Sequence, residues 1–195
     1  IKAMAEGRKV VFLLPYRALV NEKYEDFVNF YGDRLGLRVI RCSGDYLDQT
    51  IAFVNGKFEI AILTFEMFLS LALGNPSILN RLGLVVLDEA QFISDPNRGI
   101  TVELILAYLR SVRTQGIEPQ TVMLSATIGD LNGFNEWFGL RALVSDKRPV
   151  PLEFGVIDRS GVFEYLDAEG KPQTMQLLSA GFVVQRKSQP SSQDI

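Results

Sequence analysis

The sequence has no histidine and only one cysteine among its 195 residues. Without histidine the chain lacks both the commonest general base and the commonest metal ligand, which excludes Ser-His-Asp hydrolysis and histidine-based zinc chemistry. The single cysteine, Cys42, cannot form an internal disulfide and is typical of a protein kept in a reducing compartment. We therefore expect a cytoplasmic, intracellular protein in which Cys42 is a small buried apolar side chain.

Membrane-spanning runs and a secretory signal are absent as well. No apolar stretch has the length of a membrane helix, and residues 1–7 lack the apolar centre of a signal peptide, so we expect no membrane partner. No G-x-G-x-x-G follows a predicted strand, which argues against a Rossmann oxidoreductase. Because the net charge is −3, any contact with nucleic acid has to come from a local basic surface.

The sequence does contain a regular alternation of short apolar runs and longer amphipathic segments. Hydrophobic residues make up 47% of the chain, which is enough for a sizeable core. The alternation predicts βαβ units in an α/β, doubly wound parallel sheet with helices on both faces. We predict strands near residues 10–14, 37–42, 59–64, 84–87 and 121–124. We predict helices near residues 19–31, 67–73, 102–112 and 131–138.

The pattern changes after the proline-containing segment 148–151. Two β-rich runs at 162–165 and 174–178 surround a turn-forming segment, which predicts a small β-hairpin. The predicted domains are residues 1–156, the main α/β lobe, and residues 157–195, a hairpin with a linker or tail.

Two adjacent carboxylates, Asp88 and Glu89, interrupt an apolar run at the end of the fourth predicted strand. In open parallel sheets, ligands bind beyond the carboxyl ends of the strands, so we expect this pair at the edge of a cleft. A hard cation such as Mg²⁺ suits carboxylate oxygens. Acidic residues in the first turn of a helix would give the same two letters, and on the pair alone this alternative stays open.

Three further predicted strands also end in short groups of residues that include polar side chains. They are Pro15 and Arg17 after the first strand, Thr64 and Glu66 at the end of the third, and Ser125 and Thr127 after the fifth. Each group taken alone is explained by a strand stop or a helix cap. All of them, however, fall at ends of strands in one predicted parallel sheet. We therefore predict one common sheet edge for Arg17, Thr64, Asp88 and Ser125.

This order of motifs resembles the first motor lobe of superfamily-two helicases, the DEAD/DEAH-box relatives with a RecA-like fold. Residues 15–19 look like motif Ia, 64–66 like motif Ib, 88–91 like motif II (the Walker B element) and 125–127 like motif III. Residues 43–46, 95–99 and 145–152 are similar to the Ski-like branch, and within it most resemble archaeal repair DNA helicases. The resemblance covers residues 1 to about 156.

The resemblance implies ATP and Mg²⁺ as cofactors and a role for each motif. Asp88 would hold Mg²⁺ through water, and Glu89 would polarise the water that attacks the γ-phosphate, with Gln91 completing the catalytic set. Ser125 and Thr127 would couple the nucleotide state to movement between lobes. The implied nucleic-acid contacts are Pro15, Arg17, Thr64, Glu66 and Arg98. The implied partner is a single-stranded or partly duplex nucleic acid, with DNA favoured over RNA.

The sequence departs from the family pattern in two ways. Gln91 stands where the Ski-like branch usually has histidine; an amide never gains a charge, so the change bears on coupling to motif III more than on Mg²⁺ binding. No G-x-x-x-x-G-K-[S/T] phosphate loop occurs. Residues 1–6 resemble the end of the helix that follows this loop, so we expect the loop upstream of residue 1. We also expect a second lobe in the parent chain, and an inactive fragment without it.

A different class of function stays open: a degenerate RecA-like module that binds nucleic acid or a partner without turning over ATP. Gln91 and the absent phosphate loop favour it. A phosphate loop about one helix before residue 1 would favour the motor.

Aromatic side chains offer little further signal. We assign Trp137 and most phenylalanines to the core, since that is where most such residues lie. Phe65 is the best placed for base stacking, although a core position is favoured there too.

Overall fold

Five parallel strands form the main sheet of the computed structural model, which describes residues 2–43, 46–126, 134–145, 153–167 and 169–178. The strands are β1 (Lys9–Leu14), β2 (Val39–Cys42), β3 (Ile60–Thr64), β4 (Leu82–Leu87) and β5 (Gln120–Met123). Their order across the sheet is β2-β3-β1-β4-β5, and all four pairings are parallel. The predicted α/β fold class with a parallel sheet is confirmed.

Helices connect the strands across both faces. The α-helices are α1 (Lys2–Ala5), α2 (Arg17–Phe27), α3 (Asp33–Leu35), α4 (Leu47–Val54), α5 (Phe65–Gly74), α6 (Gly99–Arg113) and α7 (Phe134–Phe138). A π-helical turn, Val28–Gly32, extends α2, and 3₁₀ helices cover Pro76–Arg81 and Ala90–Ser94. None of the helices in the described ranges is long and apolar enough to cross a membrane.

The observed helices differ from the predicted ones in several places, and α3 and the two 3₁₀ helices were not predicted. Helix α2 begins two residues earlier than predicted and ends at Phe27, where the π-helical turn takes over. Helix α4 was not predicted. Helix α7 covers the second half of the helix predicted at 131–138, and residues 131–133 lie outside the described residues.

Successive side chains of a strand alternate between two hydrophobic cores, because they point to opposite faces of the sheet. Val11 and Leu13 of β1 belong to the larger core, which contains residues of α5 and α6. Val10 and Leu14 belong to the smaller core, together with Val20 of α2. Every residue of β3 is buried, as expected of a strand covered on both faces.

The strand register brings the carboxyl ends of the strands to one edge. Leu13 of β1 pairs with Leu63 of β3 on one side and with Leu87 of β4 on the other, and β4 pairs in turn with β5. The backbone ladder continues one step further, because Asp88 N donates to Leu13 O (3.0 Å) and Leu124 N donates to Leu87 O (2.8 Å). The predicted common edge is therefore present.

A second, smaller unit follows the first, and the division lies between Leu143 and Val144. Its described part is an antiparallel sheet of β6 (Gly155–Ile157), β7 (Val162–Leu166) and β8 (Pro172–Gln176), in that order. The β7–β8 pair is the predicted hairpin, and β6 is a strand that was not predicted. The boundary predicted at residue 156 falls inside β6; the assignment of residues 1–156 and 157–195 to separate domains stays a prediction.

Two aspartates organise the turns of this smaller sheet. Asp158 Oδ1 accepts hydrogen bonds from the backbone N–H groups of Ser160 (2.8 Å) and Val162 (2.9 Å). The hydroxyl of Ser160 also donates to it and is the largest cause of the lowered pKa of Asp158. The side-chain amide of Gln173 is the largest cause of the lowered pKa of Asp167. Both turns therefore favour the ionised carboxylate.

Cys42 is completely buried in β2, as predicted. Burial raises the pKa of its thiol to about 12. The thiol is therefore protonated at neutral pH, and Cys42 acts as a packing residue.

Gly99, the first residue of α6, occupies a tight space that generates a stability prediction. A β-carbon at this position would lie 2.3 Å from the carbonyl oxygen of Ile93, a backbone atom that cannot rotate away. We expect Gly99→Ala to lower the free energy of unfolding by about 1–3 kcal/mol, as overpacking does. Urea denaturation of the chain measures this loss.

The matched control is Gly74 of α5, where an added β-carbon meets nothing within 4 Å. Gly74→Ala should be neutral or stabilising by up to about 1 kcal/mol, since alanine restricts the unfolded chain. Equal losses of stability in the two variants would contradict the tight contact at Gly99.

Candidate functional site

The first part of the site lies where β4 ends. Asp88 directly follows Leu87 and is half-buried, with its backbone N–H bonded to β1. One of its carboxylate oxygens, Oδ1, accepts a hydrogen bond from the backbone N–H of Glu89 at 3.0 Å. The buried ladder and this local hydrogen bond together fix the carboxylate at the sheet edge.

Glu89 has a strained backbone. Its φ of +55° and ψ of +43° lie in the left-handed region, and among the described residues it is the one non-glycine residue with positive φ. Such a conformation costs an L-residue roughly 1–2 kcal/mol, and strain of this kind is concentrated at functional sites. The turn that it makes leads the chain from β4 directly into the 3₁₀ helix Ala90–Ser94.

Gln91 links the two predicted motifs on neighbouring strand ends. Its Nε2 donates a hydrogen bond to Glu89 Oε2, and its Oε1 accepts one from the hydroxyl of Ser125 at 2.9 Å. An amide can donate from one end and accept at the other, so Gln91 satisfies both neighbours at once. The structure thus brings together Glu89, Gln91 and Ser125. Thr127, predicted to act with Ser125, lies outside the described residues.

Asp88 is the residue of this edge that could hold Mg²⁺. The described part of the chain contains no group of three or more Asp, Glu or Cys residues that could enclose a metal ion. A carboxylate offers about four acceptor positions, of which Asp88 uses one for Glu89 N–H. Mg²⁺ usually keeps several waters and needs only one or two protein carboxylates. Asp88 therefore fits the predicted water-mediated role.

The second part of the site is a cleft of about 490 Å³ at the same edge of the sheet. It is lined by all five residues predicted to bind nucleic acid, together with Tyr16, Ser43, Met67 and Ser70. The five are Pro15, Arg17, Thr64, Glu66 and Arg98. Thr64 also caps α5, since its hydroxyl oxygen accepts from the backbone N–H of Met67 at 3.3 Å. The cap explains the choice of threonine and leaves the hydroxyl proton to be donated.

Arg98 is held in the cleft by a carboxylate and by two aromatic rings. Its Nε and Nη2 donate to Glu66 Oε1 at 3.0 and 2.5 Å. The guanidinium carbon lies 5.1 Å from the ring centroid of Tyr16 and 5.9 Å from that of Phe92. Asp95 also fixes the backbone of Arg98, because Asp95 Oδ1 accepts a hydrogen bond from Arg98 N at 2.8 Å.

Tyr16 and Phe92 are the residues of this cluster that the sequence analysis missed. Their rings pack edge to face, with centroids 5.4 Å apart and an interplanar angle of 83°. A signal for Tyr16 was available, since it stands between the two predicted strand-contacting residues Pro15 and Arg17. No comparable local signal exists for Phe92, which is partly buried against the larger core.

The two named aromatic predictions had opposite outcomes. Phe65 is completely buried in the core, as favoured. The core assignment of Trp137 is wrong: its side chain is 43% exposed, and the guanidinium of Arg110 lies 4.7 Å from its ring centroid. Its ring centroid also lies 5.9 Å from that of the buried Phe138, so Trp137 covers the edge of the core from the surface.

The family model of the DEAD/DEAH box helicase matches residues 1–133 of the chain. The chain belongs to the DEAD/DEAH box helicase family. The predicted RecA-like fold agrees with this membership, and the motif positions read from the sequence lie within or near the matched region.

Comparison with individual relatives shows which members of the family the chain resembles. The chain is 38% identical over 162 residues to the ATP-dependent DNA helicase Hel308 of Thermococcus kodakarensis, covering 83% of this chain and 14% of that protein. It is 36% identical over 162 residues to Hel308 of Pyrococcus abyssi (83% of this chain, 21% of that protein). It is 35% identical over 167 residues to Hel308 of Pyrobaculum calidifontis (86% of this chain, 22% of that protein). This DEAD/DEAH box chain therefore resembles archaeal repair helicases, as predicted, and spans less than a quarter of these relatives.

The strained backbone of Glu89 gives a prediction that does not depend on activity. Because glycine adopts positive φ without the steric cost that a β-carbon brings, Glu89→Gly should be more stable than Glu89→Ala by about 1 kcal/mol. Denaturant unfolding of the two variants measures the difference. At Gln91, which does not have positive φ, the order should reverse, with Gln91→Ala more stable than Gln91→Gly. The same order at both positions would be evidence against the left-handed turn.

Proposed function

We propose that this chain is the first motor lobe of an ATP-dependent helicase or translocase that couples ATP hydrolysis to tracking along a DNA strand. The observation that carries the proposal is the joining of two sites by one short segment. The 3₁₀ helix Ala90–Ser94 contributes Gln91 to the polar cluster with Glu89, and it contributes Phe92 to the packing around Arg98, which lines the cleft. The residues that we propose for nucleotide chemistry and those that we propose for strand contact are thus connected by one short segment of the chain.

On the nucleotide side, each residue has a task that its contacts support. Asp88 would hold the water shell of Mg²⁺, which when bound neutralises phosphate charge. Glu89 would orient the attacking water and accept its proton, as a general base worth about 10²–10⁴ in rate. The hydrogen bond from Gln91 keeps the Glu89 carboxylate in one orientation. Ser125, and Thr127 with it, would relay the nucleotide state toward a second lobe.

On the strand side, the cleft has the chemistry for a sugar–phosphate backbone. Two guanidinium groups, Arg17 and Arg98, line it with one carboxylate, Glu66, so the cleft offers donors suited to phosphate on a chain of net charge −3. Backbone contacts of this kind do not select a sequence, which suits a protein that moves along its substrate. The names of the relatives, DNA helicases, support DNA over RNA.

A binding module without ATP turnover is the second candidate. The observation in its favour is that no phosphate loop occurs in these 195 residues. For the same reason we expect no ATP turnover from the chain alone, since neither phosphate nor transition-state charge would be neutralised. Gln91, which also favoured the passive module, supports the motor once its two hydrogen bonds are considered.

The roles of the two sites can be separated by mutation in the longer protein that we propose. Glu89→Gln should lower kcat for ATP by about 10²–10⁴, because it removes the base and keeps the shape, while nucleotide affinity changes little.

Arg17→Ala should weaken strand binding and lower the slope of log affinity against log salt by about one, with little change in unstimulated turnover. Steady-state phosphate release and strand titrations at several salt concentrations measure both.

The control is Arg34→Ala, since Arg34 of α3 does not line the cleft. It should leave the salt slope unchanged. If Glu89→Gln hydrolyses ATP at the normal rate, the motor proposal fails and the passive module is favoured.

The hydrogen bond between Gln91 and Ser125 generates a test of coupling. Ser125→Ala should lower strand-stimulated turnover on the order of 10-fold, the loss of one part-buried hydrogen bond, and spare basal turnover. Gln91→Leu should lower strand-stimulated turnover at least as much, and basal turnover as well, because it also removes the hydrogen bond to the Glu89 carboxylate. The double variant should be no worse than the poorer single one, because both remove the same link. Ser94→Ala, an exposed serine at the end of the same 3₁₀ helix, is the control. Additive effects would show that the two side chains act separately.

A further inference from the structure

Tyr16 lines the cleft as an exposed side chain that is held by two neighbouring side chains. It is the extended residue between β1 and α2, with φ −129° and ψ 144°, and its side chain is 50% exposed. Its ring packs edge to face with Phe92, and the guanidinium of Arg98 lies 5.1 Å from the ring centroid. Arg98 is itself anchored by Glu66. An exposed ring fixed by neighbours on two sides loses little conformational entropy when a ligand binds.

The surroundings of Tyr16 define the ligand chemistry. The ring lines the same cleft as Arg17, its neighbour in the chain, and as Arg98. A flat π surface beside cationic groups is the combination that binds single-stranded nucleic acid, because bases stack on the ring while the cations contact phosphate. Stacking of this kind tolerates any base, since every base has a π face.

We propose that Tyr16 is a nucleobase-stacking residue of the strand cleft, an inference that rests on the proposed strand binding and adds a base contact to it. The Phe92 and Arg98 contacts hold the ring in place, and the exposed half of the side chain receives the base. Strand affinity then has two separable parts: phosphate contacts, which depend on the arginines, and one base contact, which depends on the Tyr16 ring.

Phe30 provides a matched control elsewhere on the same unit. Its side chain is also 50% exposed, its ring lies edge to face with Tyr31 at 4.9 Å, and the guanidinium of Arg34 lies 5.3 Å from its centroid. Phe30 belongs to the π-helical turn after α2 and does not line the cleft. It therefore reproduces the local contacts of Tyr16 without the cleft.

The experiment compares two labelled strands of equal length at low salt, oligothymidylate and the corresponding abasic deoxyribose-phosphate strand, by fluorescence anisotropy. Tyr16→Leu should lower affinity for oligothymidylate by about 5- to 100-fold, the cost of losing one stacked base. It should change affinity for the abasic strand less than about twofold. Tyr16→Phe should bind both strands like the unsubstituted chain, since the ring and not the hydroxyl is used. Phe30→Leu should change neither affinity.

The results distinguish base stacking by Tyr16 from a role of its ring in positioning Arg98 and from a contact made by its hydroxyl. Equal losses on both strands in Tyr16→Leu would mean that the ring only positions Arg98 for phosphate, and the stacking proposal would be overturned. Loss in Tyr16→Phe would assign the contact to the hydroxyl and overturn it too. Arg17→Ala separates the two levels: a loss on both strands supports strand binding at the cleft whatever Tyr16 does. If the unsubstituted chain binds neither strand, the proposed function fails together with the inference.

Discussion

The in-register parallel ladder around β1 is the constraint on which the rest of the molecule depends. Leu13 pairs with Leu63 and Leu87 at one level, so that the chain leaves neighbouring strands at the same height. The hydrogen bond from Asp88 N to Leu13 O extends the ladder into the first functional residue. A slip of one residue would exchange the two faces of a strand and bury side chains of the wrong face, so the apolar cores enforce the register. The position of the site is therefore a consequence of packing.

The 3₁₀ helix Ala90–Ser94 is the structural joint between the two halves of the site. Two consecutive residues of this helix contact different parts of the site: Gln91 donates a hydrogen bond to Glu89, and Phe92 packs against Tyr16. The joint is firmly held, since a close approach of Gly99 to the carbonyl of Ile93 leaves it little room. Within the proposed function, a strand that moves Tyr16 or Arg98 acts on Phe92 and thereby on the residue next to it. Contiguous packed side chains can carry such coupling, and the set of contacts here is only a few residues long.

Much of the fold could be predicted because the strands are buried on both faces. Continuous apolar runs such as β3 are a strong signal, and all five strands were found within a few residues of their observed bounds. Helix α4 gave no comparable signal, since it begins after Tyr46 without a side-chain cap. Strand β6 was missed because its three residues are all exposed and begin with glycine.

The site was less predictable than the fold for a different physical reason. Each motif is a short continuous segment next to the end of a strand. Strand-end residues such as Asp88 and Arg17 could therefore be located once the strands were predicted. The Tyr16–Arg98 and Gln91–Ser125 contacts join residues that are distant in sequence and depend on side-chain conformations, which no local pattern specifies. Gln91, where the Ski-like branch usually has histidine, made the coupling to motif III less certain from the sequence, whereas in the structure the amide forms a hydrogen bond at each end.

Glu66 is the residue whose predicted role needs the most physical interpretation. A carboxylate repels phosphate, so direct contact with a strand backbone is an unfavourable task for it. Its observed partner is Arg98, and because the two side chains are 47% and 27% exposed, the ion pair contributes little to stability. What the pair does accomplish is orientation, since it keeps the guanidinium beside Tyr16 and Phe92. Within the proposed function, a strand phosphate at this position would compete with Glu66 for the guanidinium of Arg98.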